Sequence, residues 1–291
     1  VIAATDEAYW LYVRTTEMLK VAVSYQNVVA ELLRNVQNAE QSGLRHRNDV
    51  LKVQAKANEA ELQVLQADNG VRLARKNLCH ILGLPLDSEV SLPDTYGGDF
   101  SLGLNYTGDY SNRPELAMLE KQVELREQEV KLTRSDFLPQ AGVSVNYGYI
   151  NGIKFNGSTL FDKASFSVVA SVSIPLFQGG EGHNKIRAAR TATSIARMER
   201  EDWAEKIELE LERACDKCRE SSLEVTLTAR SLEQALESMK VSCDRYEAGM
   251  ETLADYMEAQ TVWQQAYSEY INAWTGQRLN HTYYLKAAGE L

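Results

Sequence analysis

The chain contains 291 residues, which is enough for one large domain or two smaller ones. Its 31 basic and 41 acidic residues give a formal net charge of −10, and this balance argues against a protein that binds nucleic acid through a basic surface. The sequence contains no uncharged apolar stretch of about 18 residues, so no transmembrane helix is predicted. Four cysteines are too few for a dense disulfide framework.

Long helices dominate the predicted secondary structure. Apolar residues recur at helical spacing through most of the chain, and the five prolines lie outside these stretches or at their edges. Asn112-Arg113-Pro114 is a favourable helix start, because asparagine is a common cap and proline suits the first turn. The predicted helices cover residues 1–40, 47–82, 113–137, 181–245 and 250–288. Such lengths indicate a coiled coil, a helical barrel or an elongated bundle rather than a small globular core.

Two stretches of about ten residues change to a period of two, which predicts β-strands. Apolar residues alternate with Ser, Gly and Asn over residues 142–150 and again over 165–174. The connection 151–164 contains Gly152, Asn156 and Gly157, so we expect a hairpin with a long loop.

The chain also contains an internal repeat. A shift of 206 positions aligns nine identical residue pairs between residues 39–83 and 245–289, without a gap. Three of the pairs are glycines within or beside helical sequence, where glycine costs about 1 kcal/mol relative to alanine. The pattern therefore predicts two copies of a helical hairpin. The pairs are Gly43/Gly249, Asp49/Asp255, Gln54/Gln260, Ala60/Ala266, Ala67/Ala273, Gly70/Gly276, Arg72/Arg278, Leu73/Leu279 and Gly83/Gly289.

The two copies differ in length. The second copy includes the strand pair, whereas the first begins inside its helical part. A complete first copy would need roughly ninety further residues before Val1, with a second strand pair among them. We therefore expect the chain to be N-terminally truncated.

Five short motifs occur in an order that carries a family resemblance. They are Leu82-Gly83-Leu84-Pro85, Asn112-Arg113-Pro114-Glu115-Leu116, Phe137-Leu138-Pro139, Ile174-Pro175-Leu176-Phe177-Gln178-Gly179-Gly180, and Arg245-Tyr246-Glu247-Ala248-Gly249 followed by Asp255 and Gln260. Together they resemble the outer membrane efflux protein family, the TolC-like exit ducts of bacterial tripartite pumps. The resemblance covers essentially the whole chain.

The resemblance implies a mainly α fold with one β-hairpin. Long antiparallel helices would form part of an α-barrel in the periplasm, and the strands would form part of a transmembrane β-barrel in the outer membrane. The implied division is 1–82 as the helical hairpin of the first repeat, 83–112 as a connecting equatorial segment, 113–138 as the first helix of the second repeat, 139–176 as the β-hairpin, and 177–291 as the long helical hairpin of the second repeat.

The resemblance also implies a function and partners. The chain would act as a homotrimer, a passive outer-membrane exit duct and not an enzyme. A periplasmic adaptor protein and an inner-membrane transporter of the RND or ABC class would open its periplasmic tip. Outer-membrane lipid would surround the strands. No cofactor and no nucleic acid is implied.

Three groups of residues are candidate sites. By resemblance, the residues that fall at the aperture are Asp255, Glu258, Asp49 and Tyr246, where rings of carboxylates would favour cations. Those at the adaptor-contact tip are Gly43, Leu44, Gly249 and Met250. The resemblance also implies that the apolar set of the alternating strands faces lipid, namely Val143, Val145, Tyr147, Phe166, Val168 and Val172. The family's best-known members carry a basic gate residue where this chain has Glu251, so an acid there is expected to add repulsion.

Other interpretations stay open from the residues alone. A soluble coiled-coil scaffold would explain the helices but not two alternating strands. A helical pore-forming protein that inserts a β-hairpin would explain both, but not the repeat. The CxxC at Cys215 and Cys218 lacks further ligands at zinc or redox spacing, so no metal site is predicted. Aromatic residues of the last helix are expected to pack against neighbouring helices.

Overall fold

The computed structural model describes residues 1–92, 110–155, 158–176 and 179–291. The predicted fold class is confirmed, since the described chain is mainly helical with one antiparallel β-hairpin. The helices are α1 (Ile2–Gln41), α2 (Arg47–Leu82), α3 (Pro114–Ser135), α4 (Glu181–Glu247) and α5 (Leu253–Ala288). The strands are β1 (Gln140–Phe155) and β2 (Ser158–Ser173). Within the predicted connecting segment 83–112, residues 93–109 lie outside the described chain.

The predicted long loop between the strands is wrong. β1 continues to Phe155 and β2 begins at Ser158, so the strands extend through most of residues 151–164. The pairing of Ile153 with Phe161 follows a register shift after Ile150, and this irregularity interrupts the simple alternation in the sequence. Asn-Gly at 156–157, a pair typical of two-residue hairpin turns, lies outside the described residues.

The internal repeat is present in the backbone. Helices α2 and α5 each contain 36 residues, and both of their ends are related by the same shift of 206 positions. Both helices end at a glycine in the left-handed conformation, Gly83 with φ 71° and Gly289 with φ 77°. A left-handed glycine cap satisfies carbonyls that a helix end leaves unpaired. The repeat therefore sets where these helices stop.

The described chain divides into two compact units, of which the first comprises residues 1–113 and 207–291. Its largest core joins α1, α2, α4 and α5, and Val53 and Ala60 of α2 are fully buried in it. The other buried members of this core are Tyr25, Val29, Leu32, Val36, Val50, Ala235, Tyr246, Leu253, Tyr256, Trp263 and Ala266. Burial of this apolar surface holds the two copies of the helical hairpin together.

Polar contacts of Arg113 hold a second region of this unit together. Its guanidinium is buried, donates to Glu210 Oε2 at 2.7 Å and also donates to the Ala287 carbonyl at 3.4 Å. A buried charge requires such partners because it loses its hydration. Arg113 thereby joins the end of the segment 110–113 to Glu210 of α4 and to the last turn of α5.

The second unit comprises residues 114–206, with α3, the strands and the first part of α4. Arg197 pairs with Glu127 at 2.6 Å, and Thr193 donates to the Arg126 carbonyl at 3.3 Å. A Cβ added at Gly182 would lie 2.9 Å from the Phe137 ring, so this position requires a glycine for the close approach. Phe137 of the first junction motif thus packs against α4 at Gly182, two residues after the second junction motif.

Candidate aperture and membrane-facing strands

Two turns, one in each helical hairpin, carry the predicted adaptor-contact residues, and the predicted aperture residues lie on the helices beside them. We define the first tip as residues 42–46, between α1 and α2, and the second tip as residues 248–252, between α4 and α5. Gly43 (φ 76°) and Gly249 (φ 73°) have left-handed backbones. The Leu44 N–H donates to the Ala39 carbonyl, and the Met250 N–H makes the same bond to the Arg245 carbonyl; both are 2.8 Å long. The two turns therefore share one hydrogen-bonded geometry.

The helices that leave the two tips are capped differently. Thr252 Oγ1 accepts from the Asp255 N–H at 3.3 Å, while Asp255 Oδ2 accepts from the Thr252 N–H at 3.4 Å and from its hydroxyl at 2.6 Å. This is a reciprocal capping box. At the first tip His46 occupies the cap position, and among the described residues its side chain accepts no capping hydrogen bond. Asp255, a predicted aperture acid, thus also caps α5.

The two tips carry opposite charge. The first tip and the residue after it read Arg45-His46-Arg47, whereas Glu251 occupies the position of the second tip that the repeat pairs with Arg45. Glu251 Oε1 accepts a hydrogen bond from the Ser242 hydroxyl at 2.5 Å, within its own hairpin. The acid that was expected to add repulsion therefore has a local polar partner.

A stack of aromatic and cationic groups lies behind the tips. The Tyr246 ring is 9% exposed and stacks on Tyr256, with ring centroids 5.5 Å apart. The Arg45 guanidinium carbon lies 4.7 Å from the Tyr246 ring centroid, within the range of a cation–π contact. Burial raises the pKa of Tyr246, although Arg45 opposes this shift and Asp49 adds to it. Arg45, Asp49 and Tyr246 thus form one electrostatic group.

The predicted aperture residues are only partly brought together. Asp49 is half-buried and acts on Tyr246, while Asp255 and Glu258 are exposed on α5. Asp255 lines a hollow together with Arg245 and residues 249–252 of the second tip. Glu258 lines a different groove, between α2 and α5. The side chains at the tips are open to solvent, with Leu44 78% and Met250 70% exposed. Arg45 was not predicted from the sequence, because its contact with Tyr246 depends on how the two hairpins pack.

The hairpin separates its side chains into two faces. Direct pairing of Val143 with Ala170, Val145 with Val168 and Tyr147 with Phe166 places these residues on one face, because opposite residues of an antiparallel pair point the same way. The pairs on the other face include Ser144/Val169, Asn146/Ser167 and Gly148/Ser165. The six predicted lipid-facing residues, Val172 among them, are all on the first face and are 57–75% exposed.

The aromatic residues of α5 contribute mainly to packing. Trp263 is buried in the core behind the tips, and Trp274 packs edge-on against Trp10 at a centroid distance of 5.6 Å. Tyr283 is partly exposed and donates to Glu7 at 2.6 Å, which raises the pKa of Tyr283 to about 12. The expectation that these residues pack against neighbouring helices agrees with these contacts.

The cysteines of the CxxC are core residues. Cys215 and Cys218 are buried with Leu211, Tyr284 and the last turn of α5. The Cys218 thiol donates to the Asn280 carbonyl at 3.2 Å, and burial raises the pKa of Cys215. Across the described ranges, no three His, Cys, Asp or Glu side chains gather as a metal site. No helix in the described part of the chain has an apolar stretch long enough to cross a membrane.

Comparison with known proteins identifies the family. The sequence model of the family described as "Outer membrane efflux protein" matches residues 110–288, which is more than half of the chain. The chain belongs to this family. Membership confirms the predicted resemblance, and with it the location in the outer membrane with a periplasmic helical part.

Individual relatives are similar to this chain in sequence or in structure. The alkaline protease secretion protein AprF of Pseudomonas aeruginosa is 28% identical over 207 residues, which cover 68% of the chain and 41% of AprF. The outer membrane protein VceC of Vibrio cholerae is similar in structure, with a TM-score of 0.81 at 16% identity over 99% of the chain and 69% of VceC. The CmeC outer membrane channel of Campylobacter jejuni gives 0.81 at 18% identity over 99% of the chain and 62% of CmeC. The matched part thus spans about two fifths of the length of AprF.

Proposed function

We propose that this chain forms part of a passive outer-membrane exit duct of a tripartite efflux or export pump, rather than an enzyme. The observation that carries the proposal is the separation of the hairpin into an exposed apolar face and a face dominated by Ser, Asn and Gly. A strand pair of this kind suits a barrel wall, with lipid on one side and a water-filled lumen on the other. A soluble scaffold does not require this separation.

The hairpin also supports assembly with further copies. Within the described residues β1 pairs with β2 alone, so each strand keeps one edge with unpaired backbone groups. In lipid such edges are costly and must be closed by other strands, and a two-stranded sheet by itself is only marginally stable. A homotrimer, surrounded by outer-membrane lipid, would supply those strands.

The tips are proposed as the regulated end of the duct. Asp255, Glu258, Asp49 and Tyr246 would line or hold the aperture, where carboxylates repel one another across the symmetry axis and favour cations. The exposed Leu44 and Met250, beside Gly43 and Gly249, would contact a periplasmic adaptor. An inner-membrane transporter of the RND or ABC class would supply the energy, since the duct itself binds no cofactor in this proposal.

Lysine substitution on the two faces of the hairpin tests the proposal. In the full-length protein, Val145→Lys places a charge on the apolar face, where it costs about 2–4 kcal/mol near the bilayer midplane. Asn146→Lys, at the neighbouring position on the other face, is the matched control. We expect Val145→Lys to reduce outer-membrane insertion at least tenfold, and Asn146→Lys to insert normally and to shift conductance toward anions.

Membrane fractionation measures outer-membrane insertion of the two variants, and planar-bilayer recording measures their conductance. Equal insertion of both variants would contradict a lipid-facing role for the apolar face. Loss of insertion by both variants, with wild-type protein inserted, would also contradict the assignment of two distinct faces.

A further inference from the structure

Each helical hairpin has a small buried cluster at the end away from its tip. The first end cluster, between α1 and α2, consists of Ala8, Tyr12, Ala74 and Leu78. The second end cluster, between α4 and α5, consists of Leu211, Cys215, Cys218, Tyr284, Ala287 and Ala288. The shift of 206 positions that relates the two copies takes Tyr12 to Cys218 and Leu78 to Tyr284. The two clusters are therefore equivalent parts of the repeat.

The two end clusters differ in the chemistry of their hydrogen-bond donors. The Tyr12 hydroxyl of the first cluster donates to the Val90 carbonyl at 3.1 Å. The Cys218 thiol of the second cluster donates to the Asn280 carbonyl of α5 at 3.2 Å, and Cys215 beside it is also a thiol. Exchange with a disulfide would remove the thiol proton, whereas a tyrosine hydroxyl has no such reaction. Of these two described clusters, the second alone contains an oxidisable pair.

The helical backbone keeps the two cysteine side chains too far apart for a disulfide. Cys215 and Cys218 lie three residues apart within the continuous helix α4, which places their Cβ atoms about 5–6 Å from each other. A disulfide requires about 3.5–4.5 Å between these atoms. A bridge would therefore distort the turn of α4 that is buried against Tyr284 and Ala287, and it would leave the Asn280 carbonyl without its thiol donor.

The location of these helices exposes the chain to oxidants before it folds. The helical part of the protein lies in the periplasm, and the bacterial periplasm is a compartment in which disulfides form and persist. In the unfolded chain two residues separate the cysteines, so they meet without closing a long loop. In the folded chain Cys215 is 7% and Cys218 is 3% exposed, and such burial makes a thiol inert. The pair is thus open to oxidation before folding and shielded after it.

We propose that Cys215 and Cys218 form a redox switch in the second end cluster. As thiols they allow the last turns of α5 to dock on α4, and as a disulfide they prevent this docking. A cysteine thiolate attacks a protein disulfide of the periplasm, and the second cysteine then resolves the mixed disulfide. The S–S bond between the cysteines forms as the external S–S bond breaks, and the external disulfide takes up two electrons and two protons and leaves as two thiols. Exchange with a dithiol reverses the step.

Refolding of the full-length protein in detergent after oxidation of the unfolded chain tests the switch. Excess oxidised dithiothreitol is the oxidant, and mass spectrometry of the peptide that contains residues 215–218 confirms the loss of two hydrogens. Hydrogen exchange then compares amides 281–288 of α5 with amides 75–82 of α2, their equivalents in the repeat. We expect oxidation to accelerate exchange by about tenfold or more at 281–288, to leave 75–82 unchanged, and to be reversed by reduced dithiothreitol.

Two alanine variants separate the bridge from other effects of the oxidant. Cys215→Ala retains the Cys218 thiol but cannot form the bridge, so the oxidant should leave its exchange at residues 281–288 unchanged. The double variant Cys79→Ala/Cys243→Ala retains only the pair in α4, and it should respond to the oxidant as the wild-type protein does. Oxidised wild-type protein that fails to refold, while Cys215→Ala refolds after the same treatment, would also support the switch.

Several outcomes would overturn the redox switch. Equal exchange of oxidised and reduced wild-type protein at residues 281–288 would do so, as would equal acceleration at residues 75–82. A pair that resists oxidation in the unfolded chain, or that forms the bridge equally fast in the folded protein, would contradict it as well. The switch requires the periplasmic location and not the duct, so an absence of conductance would count against the duct alone.

Discussion

The first and second tips have the same backbone and different chemistry. Their turns repeat the same hydrogen bonds, and their glycines have φ angles of 76° and 73°. The first tip is basic and lacks a side-chain cap among the described residues, whereas the second is acidic and has a capping box. The turn geometry therefore needs only a glycine and helical flanks, and the charged residues of each tip remain available for other interactions.

The cores behind the tips differ as well. Helix α2 contains no aromatic residue, while α5 contains seven. The repeat pairs Trp263, which is buried, with Ala57, which is half-buried. The second hairpin therefore supplies most of the aromatic surface that holds the two hairpins together.

The largest expected effect comes from this difference in core packing. Trp263→Ala should lower the free energy of unfolding by about 3–5 kcal/mol, because it removes a buried indole and leaves a cavity. Ala57→Gly, at the paired position, should cost about 1 kcal/mol through helix propensity. Denaturation of the full-length protein in detergent measures both, and similar losses would contradict the asymmetry of the core.

The next effect should be the same at both tips. Gly43→Ala and Gly249→Ala should each cost about 1–2 kcal/mol, since a left-handed backbone is unfavourable for a residue with a Cβ. No described atom lies within 4 Å of an added Cβ at either position, so the strain is that of the backbone alone. Thermal unfolding should show equal shifts for the two variants. Unequal shifts would mean that the turns are not equivalent.

Loss of the helix N-cap should lower stability more at the second tip than at the first, by about 1 kcal/mol or less. Thr252→Ala should lower stability by about 1 kcal/mol through loss of the capping box. His46→Ala should change it by a few tenths of a kcal/mol at most, and His46→Thr, with Asp49 three residues later, should raise it by about 0.5 kcal/mol. Hydrogen exchange at the first turns of α2 and α5 reports each effect separately. A loss at His46→Ala as large as that at Thr252→Ala would show an unrecognised cap at the first tip.

The smallest effect is expected at the surface of the first tip. Arg47 and Glu40 are 3.9 Å apart, and the Arg47 side chain is largely exposed. Arg47→Ala should therefore change stability by less than about 0.5 kcal/mol. Thermal unfolding at low and high salt measures it, and a large salt-dependent loss would show that Arg47 belongs to a stronger ionic network.

The repeat allowed much of the fold to be predicted. Glycines recurring at one offset inside helical sequence indicated that two hairpins stop at equivalent positions, and α2 and α5 end at Gly83 and Gly289 as expected. The limits of the strands were predicted less well, because Gly152, Lys154 and the charged residues near 162 mask an alternation that Ile153 and Phe155 continue.

The candidate site could be predicted only in part. The aligned acids and Tyr246 identified the tips, but the contact of Arg45 with Tyr246 depends on how two hairpins pack, and no local pattern encodes this. The partner of Glu251 was missed for a related reason. Ser242 lies more than two helical turns earlier on α4, and the turn at Gly249 brings it within hydrogen-bonding distance.

Ion conductance of the full-length protein in planar lipid bilayers is the most direct test of an outer-membrane duct. If this chain contributes walls and strands to an outer-membrane duct, purified protein should give discrete, cation-preferring current steps, and Val145→Lys should abolish them while Asn146→Lys should not. Inserted wild-type protein without current steps, or steps that persist unchanged in Val145→Lys, would contradict the account.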